Sequence, residues 1–185
     1  MANVRKVKIS ITGDLGSGKS TVCKLIMEQY GLKVYSIGGI QRSLAQKYNM
    51  SILDFNKYME THTEIDEEID NELSEIGRRD EDMILDSRMA WHFVPQSFKV
   101  YLAVDINTAV ERICTANRGE VESYTSLEDA KTKILQRKSS ENYRYLSKYK
   151  VDCSDMNNYD IIIDTTCLTP QEEADIIMEA VKSRY

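Results

Sequence analysis

Apolar positions along the chain recur with two periods, and segments of one kind alternate with segments of the other. Val7-Lys8-Ile9-Ser10-Ile11-Thr12 alternates apolar and polar residues and is rich in β-branching, which predicts a strand. Val22, Leu25, Ile26 and Gln29 then follow helical spacing, with Gly31 where a helix ends. Lys33-Val34-Tyr35-Ser36 predicts a second strand, and Ile40, Leu44, Ala45 and Tyr48 another helix. Ser51-Ile52-Leu53-Asp54 has the form of a capping box and opens a helix that runs to about Glu60. Ile65, Ile69, Leu73 and Ile76 make the next apolar stripe, with Gly77 as its expected stop. Met83-Ile84-Leu85-Asp86 reads as a buried strand ending in a carboxylate. Phe98 to Val104 is a fourth strand, followed by a helix through Ala109, Val110 and Ile113. A second box, Ser126-Leu127-Glu128-Asp129, opens a long helix toward Tyr149, and Asp160 to Asp164 is the last strand. Thr169-Pro170-Gln171-Glu172 launches a final helix with Ala174, Ile177, Met178 and Val181 inward. Strands alternating with helices predict an α/β fold, a parallel sheet covered on both faces.

The turn between the first strand and the first helix carries the strongest chemical signal. Gly13-Asp14-Leu15-Gly16-Ser17-Gly18-Lys19-Ser20 is a complete G-x-x-x-x-G-K-S loop, flanked by the strand and helix such a loop requires. Its glycines let successive backbone N–H groups curl around a phosphate, and the helix adds its positive N-terminal end. The loop and Thr21 are the expected ATP-binding residues; Lys19 reaches the β- and γ-phosphates and the Ser20 hydroxyl meets Mg²⁺. No guanine-reading N-K-x-D motif is present, which points away from a switch GTPase and toward a small-molecule kinase.

Composition narrows the picture. With 185 residues and 42% apolar content the chain is expected to form one domain with a proper core. Its start lacks a signal-like apolar region, and no apolar run approaches membrane-spanning length. Cys23, Cys114, Cys153 and Cys167 show neither C-x-x-C nor zinc-finger spacing and are expected to be reduced thiols of a cytoplasmic protein. The formal charge of −6 argues against nucleic acid as a partner. Arg112 to Lys150 nonetheless carries nine Lys/Arg against five Asp/Glu, a positive island suited to a small anion.

A kinase also needs an acceptor site and cations that close over the phosphates. Arg42 lies one helical turn beyond Ser36-Ile37-Gly38-Gly39, the loop after the second strand, and Arg88 closely follows the third. Loops at the carboxyl ends of parallel strands converge on the ligand crevice, where a guanidinium grips phosphate with two prongs. A surface ion pair would account for either arginine as well. Asp86 ends its strand level with the loop, where it either holds Mg²⁺ through a water or caps the next helix. Glu60 to Asp82 carries eleven acids against two arginines and reads as a solvated helix face. Within it, Asp66 or Asp70 is positioned to accept the amino hydrogens of a cytosine. His62 and His92 read as packing or surface residues.

Several further segments together resemble the cytidylate kinases of the short type, with an undivided acceptor region. They are Ser36 to Arg42, Met50 to Met59, Glu64 to Asp70, Asp86-Ser87-Arg88-Met89-Ala90-Trp91, and Arg137 through Arg144-Tyr145 and Tyr149 to Asp152 with Tyr159-Asp160. The likeness spans nearly the whole chain; Gly39, Ser87 and the residue before Trp91 depart from the usual pattern. The resemblance implies the P-loop kinase fold, a five-stranded parallel sheet in order 2-3-1-4-5. It also implies an acceptor-binding arm over about residues 36–76 and a lid over about 115–150. The implied reaction is ATP plus CMP or dCMP giving ADP and the diphosphate, with Mg²⁺ as cofactor and small nucleotides, not nucleic acid or membrane, as partners. Oligomeric state is left open, with a monomer favoured. Ser36, Gly38, Arg42, Asp66, Asp70 and Arg88 would form the acceptor site, and Arg42 and Arg88 would hold its phosphate. Arg112 and Arg118 would flank the lid, while Arg137 and Arg144 close on the transferring group. The catalytic set is then Lys19, Arg88, Arg118, Arg137 and Arg144, with Ser20 and Asp86 for the metal. Two rivals stand beside this reading: a kinase for AMP, UMP or another small metabolite, and a regulatory protein that binds nucleotide without turnover.

Overall fold

The computed structural model describes residues 6–115 and 124–184. Its elements run β1 (Lys8–Gly13), α1 (Lys19–Tyr30), β2 (Lys33–Ser36), α2 (Ile37–Lys47), α3 (Ile52–Thr61) and α4 (Thr63–Arg78). They continue with β3 (Met83–Asp86), α5 (Ala90–Phe93), β4 (Phe98–Ala103), α6 (Ile106–Thr115), α7 (Leu127–Tyr149), β5 (Ile161–Asp164) and α8 (Pro170–Arg184). The five strands pair in parallel in the order β2-β3-β1-β4-β5. The chain moves outward from β1 on one side and then crosses to the other, so the loops after β1 and β3 open beside each other at the point of reversal.

Strand alternation assigns the two faces. Ile9 and Ile11 of β1, Ile84 of β3, and Val100 and Leu102 of β4 pack with Val22 and Ile26 of α1 and Ala174, Ile177 and Val181 of α8. On the opposite face Met83 and Leu85 meet Ile69, Leu73 and Ile76 of α4, while Tyr101 meets Trp91, Tyr145 and Tyr159. Both faces are therefore covered, and α7 brings its inner side over the carboxyl ends of the strands.

The helix boundaries follow their caps. Ser51 and Ser126 accept hydrogen bonds from Asp54 N and Asp129 N, each at 3.1 Å, and Thr169 and Glu172 cap each other reciprocally. Gly31 ends α1 in the left-handed conformation, its N–H bonded to Met27 O. Gly77 is a correction to the sequence reading: α4 continues through it to Arg78. A Cβ there would lie 2.4 Å from Val94 Cγ2, so the glycine serves close packing of α4 on the chain after α5 and not helix termination. The four-residue α5 has no signal in the sequence either, being too short for periodicity and lacking a side-chain cap. The four cysteines are unpaired, and among the described residues no helix is long and apolar enough to cross a membrane.

One buried group works against stability. Glu173 in the first turn of α8 is 1% exposed, its Oε2 has no hydrogen-bond partner, and burial pushes it up to about 7 despite the Arg112 charge. A carboxyl raised in the native state binds its proton more tightly than in the unfolded chain. Native stability therefore falls as pH rises from about 4.5 to 7 and stays lowered above that. Glu173→Gln is accordingly expected to raise the melting temperature at pH 8 by on the order of 5 °C, and by little at pH 5. Thermal melts of both proteins at the two pH values check this.

Candidate active site

β1 delivers the chain into a loop that only glycine can make. A Cβ on Gly13 would stand 2.3 Å from Leu102 O of β4, and one on Gly16 (φ +82°) 2.7 Å from Ala109 O of α6. The loop is thus wedged between the sheet and α6, with Leu15 packed on Val110, Ile113, Ala130 and Ile134. Ser17 is fully buried, its hydroxyl without a partner, while Thr21 is exposed on the rim. Lys19 turns back over the loop, its Nζ donating to Gly13 O (3.3 Å) and Asp14 O (3.2 Å). Burial, and then the nearby Arg88 cation, push its ammonium down to about 8, which leaves it charged at neutral pH.

Asp86, at the end of β3, joins three segments. Its Oδ2 accepts from Ser20 Oγ at 3.2 Å and from Ser36 Oγ at 3.1 Å. Helix capping, the alternative for Asp86, is not seen: α5 has no side-chain cap. A serine hydroxyl beside a carboxylate, with phosphate oxygens to supply the rest, is a donor set that suits Mg²⁺. Ser36 also caps α2 by accepting from Gly39 N, so its hydroxyl ties the start of α2 to the loop.

A buried carboxylate absent from the sequence reading organises the cations. Glu141 of α7, 3% exposed, receives Arg88 Nε on Oε2 at 2.9 Å and Arg137 Nε on Oε1 at 2.8 Å. Arg88 also donates to Gly13 O. Burial acts against the Glu141 charge, but Arg88 and Arg137 outweigh it and hold the carboxyl at about 2. Arg42 and Gly38 of α2 line the same cleft as Lys19, Ser20, Asp86, Arg88 and Arg137, and so do Gln41 and Tyr145. The spacing of Glu141, four residues after Arg137 and three before Arg144, was the available signal for it.

Arg144 takes a different position from Arg137, although seven residues on one helix place both inward. Its Nη1 donates to Asn56 Oδ1 (2.9 Å) and Asn56 O (3.3 Å), and its Nε approaches Asp66 Oδ2 at 3.1 Å. Arg144 therefore joins α3 and α4 and does not meet the phosphate loop. Asp66, read with Asp70 as a candidate acceptor for the base on an otherwise solvated face, is 3% exposed; Asp70 accepts from Tyr149 OH. Burial and then the Asp66 charge push Asp70 up to about 7. Arg112 donates to Thr165 O (2.8 Å), Thr165 Oγ1 and Thr166 O, tying α6 to the loop after β5. Arg118 lies outside the described residues. His62 stacks on Tyr58 with centroids 3.7 Å apart, and His92 packs between Trp91 and Phe93, in keeping with roles outside the chemistry.

Comparison with known proteins agrees with this geometry. A family described as "AAA domain" matches residues 9–136. The cytidylate kinase of Methanobrevibacter smithii is 32% identical over 174 residues, covering 94% of this chain and 98% of that protein. The cytidylate kinase of Thermoplasma volcanium is 35% identical over 179 residues, covering 95% of this chain and 91% of that protein. An S-adenosylmethionine-dependent nucleotide dehydratase of Lacinutrix mariniflava is 36% identical over 175 residues, of which this chain spans only 36% of the length. Among solved structures, shikimate kinase from Bacteroides thetaiotaomicron superposes with a TM-score of 0.65 at 15% identity, over 95% of this chain and 98% of that one. A deoxyadenosine kinase from M. mycoides with bound dATP gives 0.54 at 16% identity, over 95% and 100%. The sheet order, the phosphate loop and the identities of 32% and 35% over nearly the full length agree: this chain belongs to the cytidylate kinase family of P-loop kinases.

Proposed function

We propose that the chain transfers the γ-phosphoryl group of ATP to CMP or dCMP, producing ADP and the cytidine diphosphate. The observation that carries this is the convergence of Lys19, the Ser20–Asp86 pair, Arg88 and Arg137 on one cleft, in a chain whose full-length relatives include cytidylate kinases. The acceptor is itself an anion, so its attack on the γ-phosphorus needs alignment and charge neutralisation more than a general base. Lys19 meets the β- and γ-oxygens of the donor, Arg42 and Arg88 orient the acceptor phosphate, and Arg137 neutralises charge on the group in flight. Ser20 and Asp86 would hold Mg²⁺, which supplies further charge neutralisation on the phosphate oxygens. Arg144, buried against Asn56 and Asp66, shapes the wall on which the acceptor base rests, and Asp70 offers an acceptor for the cytosine amino group.

The cavity in front of the loop measures about 110 Å³, well below the roughly 300 Å³ at which small-molecule sites begin. Besides the phosphate loop it is bounded by α2 and α7, and a second cavity of about 330 Å³ adjoins it at Leu15 and Arg137.

A coupled assay of ADP release across CMP, dCMP, UMP, AMP and non-nucleotide metabolites tests the assignment. CMP or dCMP is expected to exceed AMP by at least tenfold in kcat/KM, about 1.4 kcal/mol of discrimination. Turnover with AMP alone, or with a metabolite alone, would move the chain to the first rival reading. ATP binding without turnover of any acceptor would leave the regulatory one.

A further inference from the structure

The phosphate loop contains a negative charge of its own. Asp14 follows Gly13 directly, and its backbone oxygen touches Lys19 Nζ, so this carboxylate belongs to the loop that must receive a triphosphate. A fixed anion there opposes polyphosphate binding unless something neutralises it. Three donors do so. Tyr101 OH donates to Oδ1 at 2.9 Å, Lys138 Nζ donates to the same oxygen at 2.6 Å, and Val104 N reaches Oδ2 at 3.3 Å. Lys138 is the one that carries charge. Burial pushes the Asp14 carboxyl up, but the Lys138 hydrogen bond and charge outweigh it and hold the group below the usual carboxylate range. Tyr101 remains a neutral donor, its hydroxyl pushed far up by burial and by Asp14 itself.

Lys138 also belongs to a wall of the cleft, α7, and not to the loop itself. It sits on α7 between Arg137 and Glu141, so its hold on Asp14 fastens that helix to the loop. The two charges lie 124 residues apart in sequence and meet where α7 packs over the loop.

We propose that Lys138 is a positioning residue for the donor: by neutralising Asp14 it makes the phosphate loop receptive to a triphosphate, and it ties that receptivity to the docking of α7. The inference rests on the reading that the loop binds ATP, and it deepens that reading by naming the counter-charge the loop depends on.

Rescue between the two positions provides the test. Binding of ATP with Mg²⁺ is measured calorimetrically for the wild type, Lys138→Met, Asp14→Asn and the double variant, together with KM for CMP and the melting temperature. Lys138→Met is expected to weaken ATP about tenfold, since it leaves Asp14 charged against the donor. Adding Asp14→Asn is expected to bring ATP affinity back to within about twofold of wild type, because the charge needing neutralisation is gone. KM for CMP should move less than twofold throughout, and Lys138→Arg should bind ATP like the wild type. Side-chain exposure at Lys138 is 40%, so its replacement leaves the core intact. Unchanged ATP affinity in Lys138→Met overturns the proposal. So does a loss that Asp14→Asn fails to relieve, or a loss shared equally by ATP and CMP, which marks a merely structural pair. Calorimetry with ATP requires no turnover, so failure of the CMP assignment leaves the ATP comparison among the four proteins standing. A wild type that binds no ATP removes the underlying reading and the inference with it.

Discussion

Lys19→Met is expected to reduce kcat/KM for phosphoryl transfer at least a hundredfold while leaving the protein folded, as measured by ADP release and by thermal melts. Methionine matches the length of the lysine stem and removes only the charge. That charge sits over the loop on Gly13 O and Asp14 O, ready to transfer to phosphate oxygens that bind it more strongly. A preorganised cation at the transferring group is worth roughly 10² to 10³ in rate. Folding gives a contrasting readout, because enclosing an ammonium beside Arg88 opposes the native state. The native ammonium loses its proton near pH 8 and the unfolded one near 10.5, so the unfolded state binds more protons between those values. Wild-type stability should therefore gain as pH rises through that window, relative to Lys19→Met, which lacks the titration. Donor affinity of the wild type should fall above pH 8 as the charge is lost. A variant that transfers phosphate like the wild type would remove Lys19 from its role.

The parts of this site legible in the sequence are those whose signal is local. The strand before Gly13, the loop and α1 follow one another directly along the chain, and each fixed position has its own stereochemical reason. The caps at Ser51, Ser126 and Thr169 act within a single helical turn, so helix starts are readable almost to the residue. Asp86 and Arg88 are readable because a buried apolar strand ends beside them and parallel topology carries strand ends to the crevice.

Long-range pairings are not legible. Glu141 looks like an ordinary i,i+4 partner of Arg137 on a solvated helix, and nothing in its neighbourhood announces Arg88, which arrives from the far side of β4 and α6 in the chain. The pairing of Asp66 with Arg144 has no local sign, because α4 carries many acids and α7 arrives only later in the chain. The seven-residue spacing of Arg137 and Arg144 gives them a common direction but not a common partner, because α3 and α4 occupy the space beside the second arginine. Gly77 misleads for a similar reason: the side chain it must avoid, Val94, comes only after β3 and α5.

Glu141→Ala tests the heart of that long-range arrangement. It leaves Arg88 and Arg137 buried without their shared carboxylate, and breaking such a cluster from one side destabilises by about 3–5 kcal/mol. For a chain of this size that corresponds to a fall of about 10 °C or more in melting temperature. Simple destabilisation would leave ligand effects proportionate to the wild type, whereas the geometry predicts otherwise. If Arg88 and Arg137 are the groups that meet phosphate, substrate oxygens can take the place of the missing carboxylate between them. ADP with CMP and Mg²⁺, a pair that cannot react forward, should then raise the melting temperature of Glu141→Ala by several degrees more than it raises that of the wild type. Glu141→Gln, which keeps the shape and a hydrogen-bond acceptor but loses the charge, should fall between the two. A ligand-induced gain in Glu141→Ala no larger than in the wild type would mean that these arginines serve the fold and that the transferring phosphate is held elsewhere. The acidic group between them has a second consequence for the reaction: the arginines stay anion-bound and oriented before any nucleotide arrives. If they meet phosphate as proposed, substrate binds to cations already fixed in place, so little reorganisation remains for the moment of transfer.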